Sequence, residues 1–301
     1  MQRLEFHAMG CHLVVVLDSA QPAASLKVVP MLFENWEQIF SRFRANSELN
    51  LLNRRAGQWV RVGTALWEVM HLALVAADWT DGIFSPTILN ALEAAGYDRT
   101  FAEIAASDQP ITLQPDGQWR SIQRQSLNRL IWLPPDVRLD LGGIVKGWAA
   151  DRAAKKLSAR GPALIDAGGD IAISGPRADG SPWPIGVLNH FQPDQPFETL
   201  KIACGGVATS GRDYRRWLRD GYWQHHLIDP RTGLPAQTDV LSATVIAPTA
   251  FEAEIAAKVV VISGSEQGLA WLTEQPDYAA IIVREDGRAV YSAEMSRYLW
   301  S

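Results

Sequence analysis

The chain has 301 residues, 47% of them hydrophobic and 20% charged, which is enough apolar material for one large core or two modest ones and excludes extended disorder. Lysine and arginine total 28 against 33 aspartate and glutamate, a formal charge of −5, so the overall field favours neither nucleic acid nor an anionic membrane, and an anionic ligand has to be met by local charge. Two cysteines, Cys11 and Cys204, make no disulfide framework and no Cys/His pattern has zinc spacing, which predicts a reducing, cytoplasmic setting.

Glu5 and His7 interrupt the opening apolar residues, so neither a signal-peptide core nor a membrane-spanning stretch of about 20 residues is expected. Residues 12–17 read as a strand. Over 31–43, Leu32, Trp36, Ile39, Phe40 and Phe43 recur at helical spacing; over 64–79, Leu66, Met70, Leu74 and Ala77 do the same before a break at Thr80-Asp81-Gly82. Residues 106–135 look like a small antiparallel section, with strand-like pieces at 121–122 and 129–133 and turns that include Pro115-Asp116-Gly117. A strand is expected at 137–141, a turn at Gly142-Gly143, and a helix over 145–157 whose Ala149, Ala150, Ala153 and Ala154 allow close packing. Strands at 163–166 and 171–174 follow around Gly168-Gly169, then strands at 241–247 and 279–283 alternate with helices at 251–263 and 266–273. No repeat and no long linker interrupts the pattern, so one interlocked α+β domain over 1–301 is expected, and the lack of sustained strand–helix alternation argues against a doubly wound sheet.

Four segments carry candidate chemistry. In Leu139-Asp-Leu-Gly-Gly-Ile-Val-Lys-Gly-Trp-Ala-Ala-Asp151 a strand runs through a glycine pair into a helix, so Gly142 and Gly143 permit close backbone approach, free N–H groups favour an anion, and Lys146 adds a full charge. The spacing is neither a Walker loop nor a dinucleotide fingerprint, and a plain tight turn with a solvated lysine accounts for the same residues. His225-His-Leu-Ile-Asp-Pro-Arg-Thr-Gly233 gathers imidazole, carboxylate, guanidinium and hydroxyl groups suited to binding phosphate or moving a proton, although Asp-Pro followed by Thr-Gly is also ordinary turn chemistry. Ser210-Gly211 ends a strand-like piece, and Arg212, Arg215, Arg216 and Arg219 form a basic patch that reads as a solvated helix face. The fourth, the Asp81-Gly-Ile-Phe-Ser-Pro-Thr87 loop, is explained by its glycine and proline alone.

Taken in order, these segments resemble the FAD:protein FMN transferase, or ApbE, family over nearly the whole chain. The likeness runs from Ala8-Met-Gly10 through Phe40-Ser-Arg-Phe, Ser47-Glu48-Leu49, Asn53, Asp81-Gly-Ile-Phe and Pro86-Thr87. It is closest at Leu139 to Gly147 with Asp151, at Gly168-Gly-Asp170, at Ala208-Thr-Ser-Gly211 with Tyr214, and at His226-Leu-Ile-Asp-Pro-Arg-Thr-Gly233. The resemblance implies two β-sheets flanked by helices in a T-fold-like α+β domain, with flavin adenine dinucleotide held between them. It implies a reaction in which a Ser or Thr hydroxyl of an acceptor protein attacks the FAD pyrophosphate, FMN becomes phosphoester-linked and AMP leaves. Carried over by position, Met9, Ser47, Asp81, Gly142, Gly143, Lys146, Asp151 and Ser210 line the flavin and phosphate site, with His226, Asp229 and Arg231 near the reacting phosphates. Nucleic acid and membrane insertion are not expected as partners.

The resemblance also implies magnesium, which prefers hard oxygen ligands, at a segment where family members read Ala-Asp, two residues, Ala-Thr. This chain has Ala253-Glu254-Ile-Ala-Ala257-Lys258 there, so Glu254 is the remaining metal ligand and Lys258 offers no oxygen. Two readings stand: a solvated Glu–Lys pair one helical turn apart, or a Lys258 ammonium in the place of the divalent ion. Ser85 stands where many members carry Asp, and His225 where Ser or Thr is common. These departures keep two alternatives open beside transfer: FAD binding without covalent chemistry, and FAD hydrolysis to FMN and AMP.

Overall fold

The structure, a computed structural model, describes residues 1–20, 26–112, 114 and 118–300; the expected turn at Pro115-Asp116-Gly117 lies outside them. The chain opens with β1 (Gln2–Ala8) and β2 (Cys11–Leu17), a hairpin whose turn residues Met9 and Gly10 have φ of 52° and 68°, the positive values that let a two-residue turn match the twist of its strands. It continues through α1 (Val28–Phe40), α2 (Glu48–Asn53), β3 (Trp59–Arg61), α3 (Thr64–Trp79), α4 (Leu89–Ala94), β4 (Gln123–Gln125), β5 (Leu130–Trp132) and α5 (Val145–Ser158). Next come β6 (Ala163–Ala167), β7 (Asp170–Ile173), β8 (Trp183–Val187), β9 (Glu198–Ile202), β10 (Gly205–Gly211), β11 (Arg216–Arg219), β12 (Tyr222–His225), β13 (Ile228–Asp229) and β14 (Leu234–Pro235). Last are β15 (Val240–Ala247), α6 (Ala250–Ser263), α7 (Ser265–Thr273), β16 (Ala279–Arg284) and β17 (Ala289–Tyr291).

The architecture is α+β, divided into two compact units: Met1–Phe33, Lys146–Gly211 and Asp239–Ser301 form the first, Glu34–Val145 and Arg212–Thr238 the second. Because both are assembled from stretches that alternate along the chain, neither has a linker that a sequence scan could find.

The first unit is built on an eight-stranded sheet in the order β1-β2-β6-β7-β10-β15-β16-β17, antiparallel throughout. One face packs Ile171, Ile173, Val207, Ile246 and Ile281 against Trp183, Ile185, Leu200 and Ile202 of the β8–β9 hairpin. The opposite face carries α6 on β10 and β15. Helix α6 is apolar nearly all round, with Ala253, Ile255, Ala256, Ala257, Val259, Val260 and Val261 buried, as expected of a helix covered on every side rather than along one stripe.

In the second unit, β3, β4 and β5 form a three-stranded sheet, and β11–β12 and β13–β14 are two short hairpins. With β8–β9 the described residues hold one large sheet and four small ones, an α+β arrangement of sheets and helices of the class expected. Three local expectations change. Residues 137–141 join no sheet, because the Asn53 side chain donates to Leu139 O at 3.0 Å and accepts from Leu139 N at 2.8 Å, while Asp140 N donates to Pro86 O at 2.9 Å. A side-chain amide takes the place of a neighbouring strand. The arginine patch lies on the β11–β12 hairpin and its approach rather than on a helix: Arg216 stacks on Trp223 at 4.7 Å and Arg212 donates to Thr238 O at 2.7 Å. Ser121 ends a 3₁₀ turn, with strand starting at Gln123.

Candidate functional site

One end of the large sheet gathers several of the sequence-selected residues of the first unit. The Met9-Gly10 turn closes the β1–β2 hairpin there, and Gly168-Gly169, with φ of 68° and 94°, turn β6 into β7. A Cβ on Gly168 would stand 2.7 Å from the Cys11 side chain, so glycine is required at that crossing. Asp166 Oδ1 fixes the turn by accepting from Gly169 N at 2.8 Å. Pairing of Ala208 with Asp170 brings Ser210 to the same end, buried and on the α6 side of the sheet.

At this end two lysines and two carboxylates meet. Lys146, in the first turn of α5, donates to Asp170 and stands 3.8 Å from Glu254 Oε1. Lys258 donates to the same Oε1 at 3.1 Å and to the Glu254 carbonyl at 3.3 Å. Glu254 Oε2 accepts from Gly147 N at 2.9 Å. The Glu254 side chain is 0% exposed and that of Lys258 13%, so the pair is interior, which overturns the solvated-pair reading. Burial disfavours a charged Lys146, but the Asp170 and Glu254 carboxylates outweigh it and hold its pKa above the ordinary lysine value. Burial and the Glu254 charge push Asp170 up, against the pull of Lys146 and Lys258. With all four ionised, the cluster is electrically neutral.

This arrangement does not fit a divalent cation. Each Glu254 oxygen already has a donor, the side chain one turn later is an ammonium, and among the described residues no group of three or more His, Cys, Asp and Glu is disposed to hold a metal. Glu254, the sequence-derived metal ligand, is therefore a lysine ligand.

Asp151 has a structural task. Its Oδ1 and Oδ2 accept from Ala250 N and Phe251 N, each at 3.0 Å, and so cap the first turn of α6. Burial lifts its carboxyl to about 6 despite those two donors. The helix end comes close enough to α5 and β10 to need glycine on both: a Cβ on Gly147 would lie 2.6 Å from Ala250 O, and one on Gly206 would collide with Thr249 and Ala250.

Within the second unit, the remaining candidates are held by local structure. Ser47 is the buried N-cap of α2 and accepts from Asn50 N at 3.1 Å. Asp81, at φ 46°, has a side chain 94% exposed beside Arg120 at 2.9 Å. Gly142 N donates to Asp140 Oδ1 at 2.9 Å, Gly143 completes the turn, and Arg42 pairs with the other Asp140 oxygen at 2.9 Å. Ser85 is buried, its hydroxyl 2.9 Å from that of Thr87. Asp229 organises the 229–233 turn: its carbonyl accepts from Gly233 N at 2.8 Å and its carboxylate holds the Arg231 guanidinium at 2.9 and 2.8 Å, which raises the arginine further. The Arg231 side chain is otherwise 51% exposed. His226 lies edge-on to Tyr97 at 6.5 Å between ring centroids. His225 is buried, with Nε2 2.9 Å from Ala236 O and Nδ1 accepting from Leu227 N, and burial pushes its pKa down to about 4, so it is a neutral structural histidine.

Sequence reasoning assigned no task to Asp170 or Arg42. A carboxylate placed directly after a glycine pair and ahead of a fully apolar strand was the available signal for Asp170. Arg42, 6% exposed and lying over the Phe43 and Tyr97 rings at 4.1 and 4.4 Å, was signalled only by its place in the Phe40-Ser-Arg-Phe segment, because its partners Tyr97 and Asp140 are distant in sequence.

The chain matches the family described as ApbE over residues 9–282. It is 32% identical over 299 residues to an FAD:protein FMN transferase of Treponema pallidum, covering 91% of this chain and 81% of that protein. It is 30% identical over 292 residues to one of Salmonella typhimurium, covering 92% and 79%. Among solved structures, an ApbE protein from Thermotoga maritima superposes with a TM-score of 0.89 at 26% identity, over 100% of this chain and 99% of that one. A flavin transferase from Vibrio cholerae, at 24% identity and a TM-score of 0.81 over 99% of both chains, shares the fold.

Proposed function

The chain belongs to the ApbE family, and from that premise we propose that it transfers FMN from FAD to a Ser or Thr hydroxyl of an acceptor protein. The acceptor oxygen attacks the phosphorus on the FMN side of the pyrophosphate, the P–O bond to the bridging oxygen breaks, AMP leaves, and the hydroxyl proton is released. Phosphoryl transfer of this kind asks a protein mainly for positioning and for positive charge. The observation that carries the reading is Lys146, partly buried and held charged in the first turn of α5, a few residues after the glycine pair.

In this reading the first unit contributes Met9, Lys146 and Ser210 to flavin and phosphate binding, with Asp151 acting through the capped end of α6. Within the second unit, Asp229 aims the Arg231 guanidinium. The acceptor is a protein, and no helix of the described residues is long and apolar enough to cross a membrane. A cytoplasmic setting is supported by Cys11 and Cys204, which share no disulfide. Magnesium is not part of the reading, on the strength of the Glu254 environment.

Purified protein incubated with FAD and a candidate acceptor tests this directly. AMP release together with flavin that stays on the acceptor after denaturation is the expected result. FAD binding with neither product would replace transfer by the second reading, a flavin-binding protein, which the full engagement of Glu254 favours.

A further inference from the structure

The family resemblance implies a divalent cation at the N-terminal half of α6, and this chain carries its own charge there. Accepting the flavin-pyrophosphate reading above, we propose that Lys258 is a built-in replacement for the cation, so that the protein binds the dinucleotide without a metal. Three observations carry this. Both Glu254 oxygens are engaged, Oε1 by Lys258 and facing Lys146, and Oε2 by the Gly147 N–H. Lys258 is anchored at two points, the Glu254 carboxylate and carbonyl, so its ammonium is fixed rather than sweeping through solvent. Asp170, the other carboxylate of the cluster, is committed to Lys146. For a divalent ion to enter, it would have to expel an ammonium whose removal leaves no gain in hydrogen bonding.

The charge balance sharpens the point. Two ammonium groups and two carboxylates sum to zero, whereas a divalent ion in place of Lys258 would leave the cluster at +1. Metal binding and the lysine are therefore alternatives, and removing the lysine leaves an uncompensated buried carboxylate, the condition under which a hard cation is recruited. An arginine at 258 would keep a fixed cation.

The readout is Mn2+ binding, followed by loss of the free-ion paramagnetic resonance signal, in parallel with FAD binding followed by quenching of flavin fluorescence. For the native sequence, no loss of the Mn2+ signal and FAD binding unchanged by EDTA are expected; Lys258→Arg is expected to behave the same way. Lys258→Thr is expected to take up Mn2+ and to melt at a higher temperature when Mn2+ is present. Stoichiometric Mn2+ uptake by the native protein, or an FAD affinity abolished by EDTA, overturns the proposal. Should Lys258→Thr fail to fold, the native and Lys258→Arg measurements decide alone. Failure of every form to bind FAD, with or without metal, refutes the flavin reading instead and is read from the fluorescence, independently of Mn2+.

Discussion

A double-mutant cycle on Glu254 and Lys258 measures the interior ion pair directly. Glu254→Gln keeps an acceptor for the Gly147 N–H but removes the negative charge, leaving Lys146 and Lys258 against Asp170 alone. Lys258→Met keeps most of the stem and removes the ammonium, leaving Asp170 and Glu254 against Lys146. At 3.1 Å and an effective dielectric constant of 20, the direct attraction is about 5 kcal/mol before desolvation is subtracted. Each single substitution strands a charge inside the protein and is expected to cost about 3 kcal/mol or somewhat more. The double variant is neutral again, with Lys146 still on Asp170, and is expected to cost at least about 2 kcal/mol less than the sum of the singles. Urea unfolding followed by tryptophan fluorescence supplies all four free energies. Additivity within about 0.5 kcal/mol would refute the reasoning, since that is how an exposed, solvated pair behaves.

Three further outcomes follow from individual contacts. His225 has its folded pKa lowered from 6.5 to about 4, so the unfolded chain binds its proton first: stability is fully present above pH 6.5 and falls as the pH drops toward 4, by about 3 kcal/mol at 1.36 kcal/mol per pH unit. In His225→Gln that part of the acid sensitivity should vanish from urea midpoints compared at pH 7 and pH 4.5, and an unchanged slope would contradict the assignment. Gly147→Ala gains helix propensity yet drives a Cβ to 2.6 Å from Ala250 O, so a net loss of about 1–3 kcal/mol in thermal or urea unfolding is expected, with neutrality as the opposing result. Asn53→Ala removes both bonds to Leu139 from a buried position and should cost about 2–4 kcal/mol; a loss below about 0.5 kcal/mol would mean water replaces the amide without penalty.

Regular elements with clean periodicity were legible in the residues. Helix α3 runs from Thr64 to Trp79 as its Leu66, Met70 and Ala77 spacing predicts, and β15, α6 and β16 begin within a residue of expectation. The β8–β9 hairpin was not legible, because Pro184 and Gly186 occupy the exposed positions of β8 and mask the alternation of Trp183, Ile185 and Val187. Residues 137–141 misled in the opposite direction: Val137, Leu139 and Leu141 alternate as in a strand and are buried as in a strand, but the partner is one asparagine side chain. Of the candidate site, the glycine turns and Lys146 were readable from order and spacing. The interior setting of Glu254 and Lys258 was only hinted at by apolar neighbours, since their other partners, Gly147 and Asp170, come from distant stretches of the chain.

The capped start of α6 has a consequence for synthesis. Asp151 reaches Ala250 across 99 residues, and the glycines that admit this helix end, Gly147 and Gly206, lie well upstream of it. As the chain leaves the ribosome, α5 and β10 emerge with a notch on each and a carboxylate waiting between donors that have not yet been made. Until β15 and α6 follow, Lys146 and Asp170 sit at an uncovered sheet end, and the strand edge offered by β10 has no partner on that side. Such non-local closure is slow and leaves a sticky intermediate. A nascent chain stalled before residue 240 therefore exposes both the open β10 edge and the uncovered charge pair, and is expected to be prone to aggregation.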